Sequence, residues 1–398
     1  MHGINSLIER KYLISQVLQS LEEAPVTVLL GARQSGKTTL ARMVSDLYRQ
    51  ASGNEVHYFD LETPSARAAL STPELTLQSL EGLVVIDEIQ RLPQLFEILR
   101  PLSDRRETPA HFLILGSASP YLIRGVSESL AGRCLFVPVP GFSLEELGAE
   151  AMETLWTRGG LPRSWLAAND CASMRWRRAF ITTFLERDIP QLGLHIPSES
   201  LRRFWTMIAH SHAKLWNASE LARSLSLSSK TVLSYRDILS GSYMLRVLPP
   251  WLENLKKRQV KSPKIYIRDS GLLHALLGIS DRLELGSHPE YGASWEGFAL
   301  EQLLAAYGHE DAYFWNTLQG AELDLLLFRD GRRFGFEFKC SDAPTMTKSM
   351  HIALTDLGLK KLFAVYPGQE RYPIHEKAEA VPLHACLKAD LFQPQGRK

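Results

Sequence analysis

Residues Pro25–Leu40 read PVTVLLGARQSGKTTL, and this stretch decides the fold. Gly31, Ala32, Arg33, Gln34, Ser35, Gly36, Lys37 and Thr38, followed by Thr39, fit the spacing G-x-x-x-x-G-K-[ST]. Val26–Leu30 is a short apolar run suited to a buried parallel strand, and Thr38–Leu47 reads as a helix. A glycine-rich loop between strand and helix lets backbone N–H groups curl round a triphosphate at a helix N-terminus. In such a loop Lys37 reaches the β- and γ-phosphates and Thr38 sets its hydroxyl on Mg²⁺.

Further apolar runs supply the rest of a sheet. Val56–Leu61 is a strand, and Leu83-Val84-Val85-Ile86 is another that ends in Asp87 and Glu88. Asp87 would hold Mg²⁺ through water, and Glu88 would orient or deprotonate the attacking water, because phosphoryl transfer needs a placed nucleophile and neutralised charge. His111–Ser117 brings Ser117 to the carboxyl edge of a parallel sheet, where ligands bind, so it is placed to sense the γ-phosphate. Cys134–Val139 makes a fifth strand. Arg133 just before it has two readings, a finger on a neighbouring subunit's γ-phosphate or an ordinary ion-pairing arginine. Ile4–Leu21 carries a helical apolar stripe that would either cover the nucleotide base or simply pack.

GARQSGKTTL, LVVIDEIQRLP, LILGSASP and SLAGRCLFVPVPGFSLEEL resemble AAA-type P-loop ATPases of the additional-strand class. More narrowly, the chain resembles prokaryotic ATPases fused to a C-terminal domain long described as of unknown function. The resemblance spans nearly the whole chain, with the motifs in family order. It implies ATP rather than GTP, and a homo-oligomeric ring such as a hexamer. An N-K-x-D guanine signature is absent from the sequence, in agreement. The expected class is α/β. Residues 1–145 form the ATPase core and 146–200 a helical lid. Residues 201–285 form a winged helix-turn-helix, and 286–398 a restriction-endonuclease-like α/β domain.

Asn217–Leu239, NASELARSLSLSSKTVLSYRDIL, predicts two short helices round a Ser-Leu-Ser turn, capped by Asn217 and Ser228. Tyr243–Pro250 and Lys264–Arg268 are the wing strands. A DNA-binding reading puts Ser229, Lys230, Thr231 and Tyr235 toward a groove, with Lys256, Lys257, Arg258 and Lys261 meeting phosphates. The competing reading is a protein-docking unit with a solvated lysine run.

Near the C-terminus Ala321–Phe328 and Phe334–Lys339 are strands joined through Asp330-Gly331, a two-residue hairpin turn. Arg329 then opposes Arg332, Asp324 opposes Glu337, and Glu322 opposes Lys339, with all four of the last on one face. Facing carboxylates repel, and Mg²⁺ or Mn²⁺ would reverse the sign. The Asp324, Glu337 and Lys339 constellation resembles the PD-(D/E)XK nuclease fold, which implies a metal site completed by Glu296 on the preceding helix, with Glu301 in reserve. The competing reading is an exposed ion-pair surface.

The totals set bounds. The chain has 398 residues, 45% hydrophobic and 22% charged, with a net charge of +1, so any nucleic-acid site is a local patch. Cys134, Cys171, Cys340 and Cys386 form no CxxC pair, which argues against a zinc site or disulfide framework and suits the cytoplasm. No run approaches the ~20 apolar residues that span a bilayer. The expectation is an ATP-hydrolysing DNA motor for branched or broken DNA in repair or recombination, with a metal-dependent nuclease site. The alternatives are an ATP-dependent assembly switch and a defence ATPase, whose nuclease-like domain binds without cutting.

Overall fold

The computed structural model describes residues 8–105, 110–117, 126, 128–194, 196–252, 259–388 and 391–392. The chain divides into two units, residues 1–141 with 241–243, and residues 142–240 with 244–398.

In the first unit, β1 (Val26–Gly31), β2 (Val56–Asp60), β3 (Gly82–Asp87), β4 (Ala110–Ser117) and β5 (Cys134–Pro138) form a parallel sheet in the order β2-β3-β4-β1-β5. β4 is inserted between the loop strand and the Asp87 strand, the additional-strand arrangement that the resemblance implies. Every residue of β1 and β3 is buried. Alternate side chains feed two cores, as strand geometry dictates. Val28, Leu30, Val84, Ile86 and Ile114 enter one, with Leu95, Phe96 and Leu99 of α3 (Leu95–Ser103). Leu29, Leu83, Val85, Leu113 and Leu115 enter the other. That second core also takes Leu13, Ile14, Val17 and Leu21 of α1 (Lys11–Glu23), and Leu40, Ala41 and Val44 of α2 (Lys37–Ser52). The stripe expected over Ile4–Leu21 is thus a packing helix that starts at Lys11, and Ile4–Leu7 lie outside the described residues. α2 outruns the expected Thr38–Leu47 and stops at Gly53, whose φ of 70° ends it in the left-handed region.

In the second unit, α4 (Asp170–Thr183) is capped by Asn169, whose Oδ1 accepts from Ala172 N at 2.9 Å. Of its three arginines, Arg175 and Arg178 are exposed, while Arg177 turns inward and donates to the carbonyls of Gly271 (2.9 Å) and Thr157 (3.3 Å). Beyond it come α5 (Ser198–Ala209), β6 (Lys214–Leu215), α6 (Ala218–Leu225), α7 (Ser229–Gly241), β7 (Leu245–Leu248) and β8 (Lys264–Ile267). The three strands pair antiparallel with β8 in the centre. Asn217 and Ser228 cap α6 and α7 as expected, accepting from Glu220 N and Thr231 N at 3.2 and 3.0 Å.

The C-terminal part of this unit holds α8 (Tyr291–Tyr307), β9 (Ala312–Asn316), β10 (Glu322–Arg329), β11 (Arg332–Phe338), α9 (Lys348–Asp356), β12 (Lys361–Tyr366), β13 (Tyr372–His375) and β14 (Ala378–Pro382). The sheet order is β13-β14-β12-β11-β10-β9. Arg329 pairs with Arg332 and Leu325 with Phe336, so the register set by the Asp330-Gly331 turn is the one expected and sets Asp324 against Glu337. Both turn residues have positive φ, 49° and 70°. The expected opposition of Glu322 and Lys339 does not form an ion pair. Glu322 accepts from Asn316 Nδ2 at 3.3 Å, and Lys339, one residue past the end of β11, donates to Glu337 Oε1 at 2.7 Å.

A buried hydrogen-bond chain ties the unit's interior. His274 Nδ1 donates to Thr157 O at 2.9 Å, since a carbonyl can only accept. Its Nε2 therefore accepts from Ser294 Oγ at 2.7 Å, which in turn accepts from Trp156 Nε1 at 2.9 Å. No described helix is long and apolar enough to cross a membrane.

Candidate nucleotide site and the hairpin carboxylates

The loop after β1 is shaped by three backbone requirements. A Cβ on Gly31 would lie 2.2 Å from Val139 O, so only glycine fits there. Gln34 and Gly36 both take positive φ, 61° and 95°. Gly36 caps α2 with no side-chain hydrogen bond, which leaves the N–H groups of the helix's first turn pointing at the loop without intrahelical partners. Arg10 braces the loop from outside: its guanidinium donates to Ser35 O (3.2 Å), Pro140 O (3.0 Å) and Gly141 O (2.9 Å).

The register of the sheet brings the other predicted residues to the same edge. Gly31 lies beside Ser117 across β1 and β4, and β3 delivers Asp87 to this end. Asp87 is buried and accepts hydrogen bonds at both oxygens. Oδ2 accepts from Thr38 Oγ1 at 2.8 Å and from Tyr58 Oη at 2.9 Å, and Oδ1 accepts from Glu88 N at 2.9 Å. Thr38 and Asp87, the two expected Mg²⁺ ligands, are thus already in contact. Tyr58, on β2 beside β3, went unnoticed in the sequence. Its signal was alternation, which places every second residue of VHYFD on one face. Burial, then the facing Asp87, drives the Tyr58 hydroxyl well above its ordinary range, so it acts as a donor.

Lys37 is buried, with Nζ donating to the carbonyls of Ala32 (2.8 Å) and Gly31 (3.1 Å). Burial brings its pKa down to about 8, against the pull of Glu88 and Asp87. Glu88 takes φ 57°, a left-handed conformation that costs a non-glycine residue about 1–3 kcal/mol. Its side chain is held by Gln90 Nε2. Burial, and next the Asp87 charge, raise its pKa, which makes it a stronger proton acceptor than a free carboxylate. The residues fit a nucleoside triphosphate with Mg²⁺. The first-turn N–H groups are open, Ser35 Oγ is buried without a partner, and the Thr38–Asp87 pair is preformed. The bound metal would supply charge neutralisation for the phosphates. Lys37 and the loop N–H groups are the ones that would hold the phosphate oxygens, and Glu88 the one that would take a proton from water. Arg133 is held by Asp104 in a two-point pair at 2.8 and 2.9 Å, the ion-pairing reading of the two.

The hairpin carboxylates tell a different story. Lys264, at the start of β8, puts its ammonium 3.0 Å from Glu296 Oε1 and 3.0 Å from Asp324 Oδ1. Tyr266 Oη donates to the same Glu296 oxygen at 2.7 Å, and Phe338 N donates to Asp324 Oδ2 at 3.1 Å. Glu337 Oε1 carries Lys339, and Glu337 Oε2 is buried without a partner. Burial, and next the neighbouring Asp324, raise both Glu296 and Glu337 above the ordinary carboxylate range. Burial also works against the Lys264 ammonium, but Tyr266, Glu296 and Asp324 outweigh it and hold Lys264 charged well past its usual range. Glu301, the reserve ligand, is engaged by Arg246 and Arg268 and lies at about 2 despite its burial. A divalent cation needs several open oxygens at about 2.0–2.1 Å, and one orphan oxygen does not meet that demand. Among the described residues no group of three or more His, Cys, Asp and Glu could hold a metal. The expected nuclease metal therefore does not fit this arrangement. Lys264 and Tyr266 escaped the sequence reading, although a lysine opening the apolar strand KIYI, on the same face as a tyrosine, was visible there.

The residues expected to meet DNA differ in exposure. Ser229, Lys230 and Lys261 are exposed and Thr231 half-buried, its hydroxyl 2.8 Å from Ser228 Oγ. Tyr235 does not face a groove. It is 6% exposed, edge-on to Phe204, with its hydroxyl 3.2 Å from Ser200 Oγ, because its position on α7 falls on the same stripe as Val232 and Ile238. Lys256, Lys257 and Arg258 lie outside the described residues.

Comparison with known proteins gives three family matches in chain order. Residues 23–148 match an AAA domain, 149–283 a domain of unknown function (DUF8612), and 291–386 a domain of unknown function (DUF4143). A solved Walker-type ATPase of Pyrococcus abyssi is similar at 16% identity and a TM-score of 0.47, over 68% of this chain and 96% of that one. The uncharacterized proteins Mb2031c of Mycobacterium bovis and Rv2008c of Mycobacterium tuberculosis are each 49% identical over 381 residues, 96% of this chain and 85% of theirs. The chain belongs to one family with these two mycobacterial proteins and is itself a P-loop ATPase of the AAA type.

Proposed function

We propose that this ATPase works on DNA in the cytoplasm, hydrolysing ATP with Mg²⁺ through Lys37, Thr38, Asp87 and Glu88 and holding DNA through its second unit. The contact of Thr38 with Asp87, beside a strained Glu88, carries the hydrolytic part. The DNA part is supported by the order helix, strand, helix, helix, strand, strand over residues 198–267, which is that of a winged helix. Ser229 and Lys230 stand exposed at the first turn of its second paired helix. The C-terminal sheet serves in this reading as a platform rather than a cutter, since Lys264 bridges its Asp324 to Glu296 of α8. Assembly into a ring belongs to the same proposal.

ATP turnover of the full chain with single-stranded, duplex, forked and four-way DNA is the test. DNA should stimulate turnover, and Lys230→Ala should weaken DNA binding evenly across sequences and flatten its salt dependence. If no DNA form changes turnover or binds, the DNA reading fails and the assembly switch takes its place.

A further inference from the structure

The cluster round Asp324 resembles a metal site in residue type, yet its geometry is that of a completed ion-pair joint. Two of its acids, Glu296 on α8 and Asp324 on β10, both turn an oxygen to one ammonium at 3.0 Å. That ammonium comes from Lys264, whose own side chain is 6% exposed and lies 5.8 Å from the Phe314 ring centre. The lysine is on the central strand of its sheet, hydrogen-bonded on both sides: β8 pairs with β6 through Leu215 and with β7 through Leu248 at this very residue. Tyr266, two residues on and fully buried, adds a second bond to Glu296. The backbone of Lys264 is thus fixed at both edges, and its ammonium is held by Glu296 and Asp324 beside the Phe314 ring.

We propose that Lys264 permanently takes the place of a divalent cation. It makes Glu296, Asp324 and Lys264 a metal-free joint that fixes strand β8 to the C-terminal sheet and leaves that sheet without hydrolytic chemistry. Two ammoniums face the three acids: Lys264 meets the Glu296 and Asp324 pair, Lys339 meets Glu337 Oε1, and Glu337 Oε2 is buried without a partner. The inference holds whether or not the protein acts on DNA.

Mn²⁺ bound per chain, read from the loss of the free-ion EPR signal, tests it on the nucleotide-free full-length protein. The wild type and Asp324→Asn should bind the same amount. Lys264→Ala should gain one Mn²⁺ per chain, held by Glu296 and Asp324 with water completing the shell, and Lys264→Ala with Asp324→Asn should lose it again. A wild-type Mn²⁺ that Asp324→Asn removes would overturn the proposal, as would a folded Lys264→Ala chain that gains none. Should Lys264→Ala not fold, the wild type alone still decides. Its melting temperature should be indifferent to EDTA and to added Mn²⁺, and a fall in EDTA reversed by Mn²⁺ would count against the joint.

Discussion

The chain carries two sets of carboxylates at sheet edges, and they differ in what faces them. Asp87 is met by hydroxyls, Thr38 and Tyr58, and by one backbone N–H. Asp324 is met by an ammonium, Lys264, and by one backbone N–H. Hydroxyls are neutral and leave the acid's charge to be answered by an incoming cation. An ammonium answers it already. Residue type alone suggests two metal sites, and the identity of the facing donor reduces them to one.

The sharpest way to break this contrast is at the acids themselves. Glu88→Gln should cut ATP turnover by roughly 10²–10⁴-fold while ATP still binds, since it removes the base and keeps the shape. Retained turnover in a rapid-quench assay would take Glu88 out of the reaction. At the other site, Lys264→Ala should lower the stability of the second unit by about 3–5 kcal/mol in urea unfolding, because it strands buried acids. Asp324→Asn added to it should recover part of that loss. Tyr58→Phe is a finer probe of the first site: losing a donor to a charged oxygen is expected to cost about 1.5–3 kcal/mol in binding of Mg²⁺ and ATP, seen by calorimetry.

The effect that is smallest near neutral pH compares two buried bases. Lys264 stays charged because acids face it, whereas His274 is fully buried beside Thr157 O and Ser294, and burial brings its pKa down to about 3. The folded protein holds this histidine neutral, while the unfolded chain takes a proton near pH 6.5. Its contribution is therefore complete above pH 6.5 and is lost as pH falls from there toward 3. Relative to His274→Gln, the wild type should lose about 1.4 kcal/mol per pH unit below 6.5, by urea unfolding at matched pH. A flat difference would show that His274 is charged when folded.

The fold was legible where the chain's local rules are strict. The glycine spacing of Gly31–Thr38, the apolar runs and the Asp330-Gly331 turn fixed β1 to β5 and the hairpin register, because each rests on contacts near in sequence or on a strict period of two. What escaped was long-range. Lys264 lies 60 residues from Asp324 and 32 from Glu296, and no pattern within β8 says which acids it will meet. Tyr58 likewise becomes meaningful only once β2 lies beside β3. Tyr235 was misplaced because a tyrosine on an amphipathic helix suits a groove and a core equally, and the position of Val232 and Ile238 on the same stripe decides it.

The central claim is that one acidic edge takes a cation and the other already has one. Counting Mn²⁺ bound to the full chain in the presence of a non-hydrolysable ATP analogue tests this most directly. The account predicts one ion per chain, lost in Asp87→Asn and retained in Asp324→Asn. A second ion in the wild type, or one that disappears with Asp324, would contradict it.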